Sequence, residues 1–308
     1  MLNTIMFHHF HGAGFGKSQG SISAETLNNI ILNIGVENFV TPEYILSTAG
    51  VLDAEDKWLL TFDDGLLCQF SVALPVLEKY GLKAFWFIHS MPLEEGRDYV
   101  ESYRDFRTKY YQSIEGFHSD FFSYISIDGS EDMKKACAMK CEKALEYLSE
   151  YTFYTNGDRV YRYIRDVICD REAFYNVMDG FIESKGVLLR EPEARLFMSE
   201  IEIKKLSATG HEIGLHSHTH YTKMSSCDDD FQNHEYIYNY NRLDQIISKP
   251  IQSVSYPCGS YNVYTLELME QLGIKVGFRS NNIQGEKKLS LEMPRIDHIN
   301  YITMMEEK

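Results

Sequence analysis

Positive charge is scarce in this 308-residue chain. Thirty Lys and Arg stand against 45 Asp and Glu, leaving a formal net charge of −15 and a pI near 5.2. No run of Lys or Arg interrupts that balance. A nucleic-acid binder needs a basic footprint, so that class is excluded. No window approaches the roughly 18 consecutive apolar residues that span a bilayer, so no membrane insertion is expected. The first residues, MLNTIMFHHFHGAGFGKS, lack a basic segment leading into an apolar core. The six cysteines are Cys68, Cys137, Cys141, Cys169, Cys227 and Cys258. They follow no regular spacing, and a chain this long does not need disulfide staples. The resulting expectation is reduced thiols in a cytoplasmic protein. Cys137 and Cys141 sit four apart in a helical-looking stretch and are expected to share a face. Two thiols without a second pair do not make a zinc site. No internal repeat or low-complexity tract is visible.

What is present is an alternation of strand and helix patterns. Thr4–Phe10 reads as a first strand, followed by a Gly-rich loop, an N-cap at Ser23 and an amphipathic stretch. Lys57–Phe62 is a compact apolar strand that stops at Asp63-Asp64-Gly65. Residues 70–80 read as a helix ended by Gly81, and Lys83–Ser90 as the third strand. Such alternation predicts parallel strands joined by helical crossovers. Residues 92–197 differ, being rich in Tyr, Phe and charge. Their helical periods include Asp132–Tyr151 and Arg171–Gly186. The alternation resumes with a helix over Ser199–Gly210, a strand over His211–Ser217 and a helix over Asn233–Ser248. Strands over Gln252–Pro257 and Lys275–Ser280 flank a helix over Val263–Gly273, and Glu292–Asn300 is a last strand candidate. The predicted fold is α/β, a distorted (β/α)7 TIM-like barrel over residues 1–91 and 198–308. A mostly helical insertion occupies residues 92–197.

Three loops carry candidate chemistry. Asp63-Asp64-Gly65 lies at a strand C-terminus, where barrel enzymes place catalytic groups. Adjacent carboxylates there can divide the work, one binding a metal and one acting as base; a polar turn is the competing reading. His216-Ser217-His218-Thr219-His220 also follows a strand. Two imidazoles four apart, joined by a carboxylate, suit Zn2+ or a similar divalent ion, and three protein ligands leave a position open for catalysis. Ser255-Tyr256-Pro257-Cys258-Gly259 closes another strand. Its Pro and Gly shape a backbone that allows close ligand approach, so the Cys258 N–H is a candidate oxyanion donor.

In residues and in order these loops resemble the polysaccharide deacetylases, carbohydrate esterase family 4. Thr61-Phe62-Asp63-Asp64-Gly65 resembles the family's first motif. His216-Ser217-x-x-His220, preceded by Gly210-His211-Glu212-Ile213-Gly214, resembles the second. Ser255-Tyr256-Pro257-Cys258-Gly259 resembles the third in a Tyr-Pro-x-Gly form. The resemblance covers roughly residues 1–90 and 198–300. It implies Asp63 as general base and Asp64, His216 and His220 as ligands of a divalent metal. Zinc is the first choice, with cobalt or nickel as alternatives. It also implies an oxyanion contact from the Cys258 N–H and hydrolysis of an N-acyl group on a sugar.

Two departures from the family pattern stand out. Ser255 occupies the place of an Arg that orients the base, and Arg295 is the candidate to supply that guanidinium. The late Leu-x-His motif, source of the general acid, has no clean match. His298 is nearest by position, with His218, His9 or a substrate group as alternatives.

Weaker signals remain. Gly12–Ser18 invites a nucleotide-binding reading, but His11 stands where a Walker A loop needs its first Gly. Strand alternation sends His9 and His11 to one side and His8 to the other; one of them is expected to line the pocket or sit as a core histidine. Tyr110, Tyr111, Phe117, Phe121 and Phe122 are candidates for stacking on sugars or for the core of the helical insertion. The expected substrate is a small carbohydrate or sugar nucleotide. The competing readings are an amidohydrolase acting on a cyclic amide or formamide, and a non-catalytic carbohydrate-binding relative.

Overall fold

The computed structural model describes residues 2–50, 56–94, 99–149, 154–187, 195–281 and 290–307. Seven strands follow one another along the chain: β1 (Asn3–Phe7), β2 (Trp58–Phe62), β3 (Phe85–Ile88), β4 (Glu212–Leu215), β5 (Ser253–Ser255), β6 (Val276–Phe278) and β7 (Ile296–Asp297). They form one sheet in the order β6-β5-β4-β3-β2-β1-β7, every pairing parallel. The sheet curls toward closure through its last segment. Met293 exchanges main-chain hydrogen bonds with Gly277 and Arg279 beside β6 at 2.8 and 2.9 Å, and β7, immediately after it, pairs with β1. The fold is therefore a distorted (β/α)7 barrel.

Alternate strand residues serve two apolar layers. On β3, Phe85 and Phe87 pack with Leu59, Val276 and Phe278. Trp86 and Ile88 join Phe62, Ile213, Leu215, Val254 and the helices. A parallel sheet covered on both faces needs such continuous apolar strands, because successive side chains point to opposite sides. The surrounding helices begin where polar caps satisfy their first N–H groups. Ser23 accepts from the Thr26 N–H ahead of Ala24–Ile34, and Ser199 with Glu202 forms a capping box ahead of Glu200–Ala208. The helix Leu74–Tyr80 ends at Gly81 with φ 66°, a left-handed position that favours glycine.

The chain divides into two compact units, residues 1–97 with 195–308, and residues 98–194. The second contains helices Tyr99–Tyr110, Ile114–Asp128, Glu131–Cys137, Glu142–Glu146, Asn156–Tyr163 and Arg171–Ser184, with no strand among the described residues. Phe117, Phe121, Phe174 and Phe181 form the centre of its own core. Phe117 and Phe121 are thus core residues, whereas Tyr110 is exposed.

Two local expectations are corrected. The helix predicted over Asp132–Tyr151 is broken: Met139 takes φ 54°, which no α-helix accommodates. The chain restarts at Glu142, so Cys137 and Cys141 do not share a helical face. Glu150 and Tyr151 lie outside the described residues. The strand predicted over Glu292–Asn300 is only two residues long, since the Asp297 side chain accepts from the Ile299 N–H and starts a helix at His298. No helix among the described residues is long and apolar enough to cross a membrane.

Glu212, which opens β4, yields a pH prediction. Burial pushes its carboxyl up to about 7 from 4.5, despite nearby Lys249 and Lys275. The folded state then holds its proton more tightly than the unfolded state, so this group's contribution falls as pH rises from 4.5 through 7. Glu212→Gln should stabilise the fold by about 1–3 kcal/mol at pH 8 and by almost nothing at pH 4. Urea unfolding at the two pH values checks this; an equal effect at both would contradict it.

Candidate active site

In the sheet β4 adjoins β5 while β3 separates it from β2, and the residues that follow β2, β4 and β5 converge. The backbone turns sharply at each end. Asp64, Ser217, His220 and Cys258 take φ of 75°, 58°, 52° and 52°. Non-glycine residues in this left-handed region cost of order 1 kcal/mol or more each, and such positions gather at functional sites. They aim side chains that a relaxed turn would leave pointing elsewhere.

Asp63 is buried and firmly held. Arg295 Nη1 and Nη2 donate to its two carboxylate oxygens, both at 2.7 Å, and Ser255 Oγ donates to Oδ2 at 3.0 Å. Arg295, itself buried, also donates to Ser255 Oγ at 2.7 Å, Thr61 Oγ1 at 3.2 Å and the Arg279 carbonyl at 2.7 Å. Its guanidinium rests over the rings of Phe87 and Phe278. Burial alone would raise the Asp63 pKa, but Arg295 and the neighbouring histidines outweigh it and hold the carboxyl below its ordinary 3.8. The planar fork of arginine gives this carboxylate two parallel charge-assisted bonds, which a lysine could not.

Asp64, His216 and His220 point their ligand atoms at one place, all within 4.8 Å of one another. Asp64 Oδ1 lies 3.3 Å from His216 Nε2 and 3.4 Å from His220 Nε2. His216 Nδ1 lies 2.7 Å from the Ser255 carbonyl oxygen, which only an N–H can satisfy. That bond assigns the proton to Nδ1 and leaves the Nε2 lone pair facing Asp64. Asp64 Oδ1 is buried and has no hydrogen-bond partner. Two facing acceptors in a buried site repel unless a cation lies between them, so the donor set fits a small divalent ion. Burial pushes His220 down to about 4, keeping its lone pair available at neutral pH. For His216 burial acts downward too, but Asp63 and Asp64 outweigh it and raise the pKa. A metal would satisfy the same excess of negative charge.

Several supporting residues carry no signal that the sequence reading used. Gln69, fully buried, donates through Nε2 to the carbonyls of Asp63 and His8 at 2.5 and 2.9 Å. Asn239 accepts from the His216 N–H and donates to the Ile88 carbonyl, both at 3.0 Å. Glu235 accepts from the N–H and hydroxyl of Thr219 at 2.8 and 2.9 Å. Gln232, Glu235 and Asn239 are buried polar residues at helical spacing within Asp229–Asp244. Polar side chains on the face that also buries Tyr236 and Leu243 are the signal that could have found them.

The remaining candidates lie as follows. His8 Nε2 stands 4.0 Å from Asp63 Oδ2, with the side chain partly open to solvent. His298 is buried, Nδ1 3.2 Å from the Met6 carbonyl and Nε2 2.9 Å from that of Gly20. His218 turns to Ser90 Oγ at 3.0 Å and to the Tyr238 ring. Cys258 is exposed in the turn after β5. His11 bonds Ser21 Oγ, and the Gly-rich loop folds into a tight Gly12–Phe15 hairpin.

A parallel barrel that collects carboxylates and imidazoles at its strand C-termini has the architecture of a barrel hydrolase. The chain belongs to the polysaccharide deacetylase family, whose model matches residues 52–107 and 132–277. Similar solved structures include a Streptococcus pyogenes deacetylase, PplD, in complex with acetate. It is 16% identical with a TM-score of 0.56, covering 99% of this chain and 97% of that one. IcaB from Ammonifex degensii is also 16% identical, with a TM-score of 0.53 over 96% of this chain and 90% of that one. A de-N-acetylase from Aggregatibacter actinomycetemcomitans is 12% identical, with a TM-score of 0.53 over 99% and 98%. These likenesses concern the fold. No curated protein sequence matches the chain.

Proposed function

We propose that this protein is a metal-dependent hydrolase that removes an N-acyl group, most simply acetyl, from a small carbohydrate or sugar nucleotide. The observation that carries this reading is the convergence of Asp64, His216 and His220 beside an Arg295-clamped Asp63. Asp64, His216 and His220 would hold the ion, and their mix of nitrogen and oxygen donors favours zinc. When bound, such an ion polarises an amide carbonyl and lowers the pKa of water. Asp63, kept ionised by Arg295, accepts the proton of the attacking water. The Arg295 clamp and the Ser255 hydroxyl hold its carboxylate in one orientation, so Ser255 and Arg295 together replace the family's usual Arg. The Cys258 N–H is assigned to the developing oxyanion.

The general acid is reassigned from His298 to His8. Both ring nitrogens of His298 are directed at main-chain carbonyls, which leaves no N–H for a leaving amine. His8 stands beside Asp63 at the end of β1, partly open to solvent. His8→Gln should lower kcat about 10²-fold, while His298→Gln should leave kcat within a few-fold of wild type. If His298→Gln caused the large loss and His8→Gln did not, the assignment would be reversed.

Acyl release measured across N-acetyl monosaccharides, nucleotide sugars, short N-acetylated oligosaccharides and cyclic ureides tests the substrate class. Turnover confined to the sugars is expected. Turnover of ureides alone would replace this reading with that of a non-sugar amidohydrolase.

A further inference from the structure

The helical unit holds a group of guanidinium ions that its own acids neutralise only in part. Arg104 and Arg107 lie one turn apart on Tyr99–Tyr110; Arg162 sits in the last turn of Asn156–Tyr163, and Arg165 follows one turn on in the helical segment Ile164–Ile168. Arg104 pairs with Glu101 at 3.3 Å, and Arg165 pairs with both oxygens of Asp166 at 2.6 and 2.9 Å. For Arg107 and Arg162, by contrast, no carboxylate lies within ion-pair distance and no side-chain hydrogen bond forms among the described residues. The two are near enough for their charges, with that of Arg104, to oppose one another.

Aromatic rings cover their stems. Arg107 lies over Phe117 and Tyr161 at 5.5 and 6.0 Å, and Arg162 over Tyr154 at 4.2 Å. Both side chains are partly buried. Asp158, whose charge acts on Arg107, is already engaged. Its Oδ2 accepts from the N–H and hydroxyl of Thr155 at 3.0 and 2.9 Å, and its Oδ1 lies 3.7 Å from His118 Nε2. The buried His118, near both arginines, leaves Nε2 without a hydrogen-bond partner.

Half-buried like charges without counter-ions are costly, and a planar guanidinium recognises oxyanions through paired N–H donors. In a chain of net charge −15, general electrostatics repels anions, so a local concentration of unpaired guanidinium calls for a specific one. We propose that Arg107 and Arg162 form an oxyanion site in the helical unit that takes a phosphate group, free or esterified, with the Tyr154 ring beside it. This inference stands independently of the reaction assigned to the barrel.

The test is isothermal titration of inorganic phosphate into the metal-loaded full chain at constant ionic strength. Chloride serves as the control anion and glucose 1-phosphate as the ester. Saturable one-site uptake is expected, weakened about tenfold or more by Arg107→Met and by Arg162→Met. Arg195→Met, at an exposed arginine paired with Glu202, should leave it unchanged. Asp64→Asn should also leave it unchanged, which separates this site from phosphate held at the barrel metal. Arg107→Lys and Arg162→Lys keep the charge and guard against misfolding; they should weaken uptake by a smaller factor. Tighter uptake of the ester would identify a phosphorylated metabolite as the ligand, and tighter uptake of phosphate the free ion. No saturable uptake by the wild type, or uptake unchanged in both arginine variants, overturns the proposal.

Discussion

Asp63→Asn should lower kcat/KM about 10³-fold while leaving metal affinity within a few-fold of wild type. The size follows from general-base catalysis, where a positioned carboxylate contributes roughly 10²–10⁴. The separation follows from geometry, because the atoms that could hold an ion belong to Asp64, His216 and His220 and not to Asp63. An asparagine keeps the shape but replaces one acceptor with an NH2 group. That group would face an Arg295 or Ser255 donor, so some loss of stability accompanies the loss of rate. Steady-state kinetics together with metal titration reads both effects. Activity within tenfold of wild type would remove Asp63 from the role of base. Loss of metal binding in this variant would mean that the division of labour between the two aspartates is wrong.

Arg295→Met is the second large effect, and it is expected in stability and pH dependence together. The side chain is fully buried against Asp63. Removing one member of a buried pair leaves an uncompensated charge and costs about 3–5 kcal/mol. In the wild type the Asp63 pKa is depressed. Its contribution to stability is therefore present above the unfolded-state value and is lost as pH falls through the folded-state value. Without Arg295, burial dominates and raises the Asp63 pKa above the unfolded value, so the variant loses stability as pH rises. The gap between wild type and variant should thus be widest near pH 8 and narrow toward pH 4. The acid limb of kcat/KM should move to higher pH. A gap independent of pH would show that Arg295 acts by packing on Phe87 and Phe278 rather than by charge.

The barrel was legible because its strands end abruptly. Apolar runs stop at Asp63, His216 and Tyr256-Pro257, and the polar residues that follow are too dense for ordinary turns. The supporting shell was hidden for a physical reason. Gln69 and Asn239 bond main-chain groups of His8, Asp63, Ile88 and His216, partners that no sequence pattern specifies. Arg295 could be nominated only as a cation on a later strand; its position against Asp63 depends on how the last segment joins the edges of the sheet. Local backbone geometry defeated periodicity at Met139, where a left-handed residue interrupts a helical pattern. At His298 a side-chain cap from Asp297 converts a strand pattern into a helix and turns the imidazole toward the carbonyls of Met6 and Gly20.

The most direct test is acetate release from an N-acetylated sugar by wild type and Asp64→Asn, before chelation, after chelation and after zinc is restored. The account predicts that wild-type turnover disappears on chelation and returns with zinc, while Asp64→Asn stays near background throughout. Equal turnover by chelated and zinc-restored wild type would contradict it.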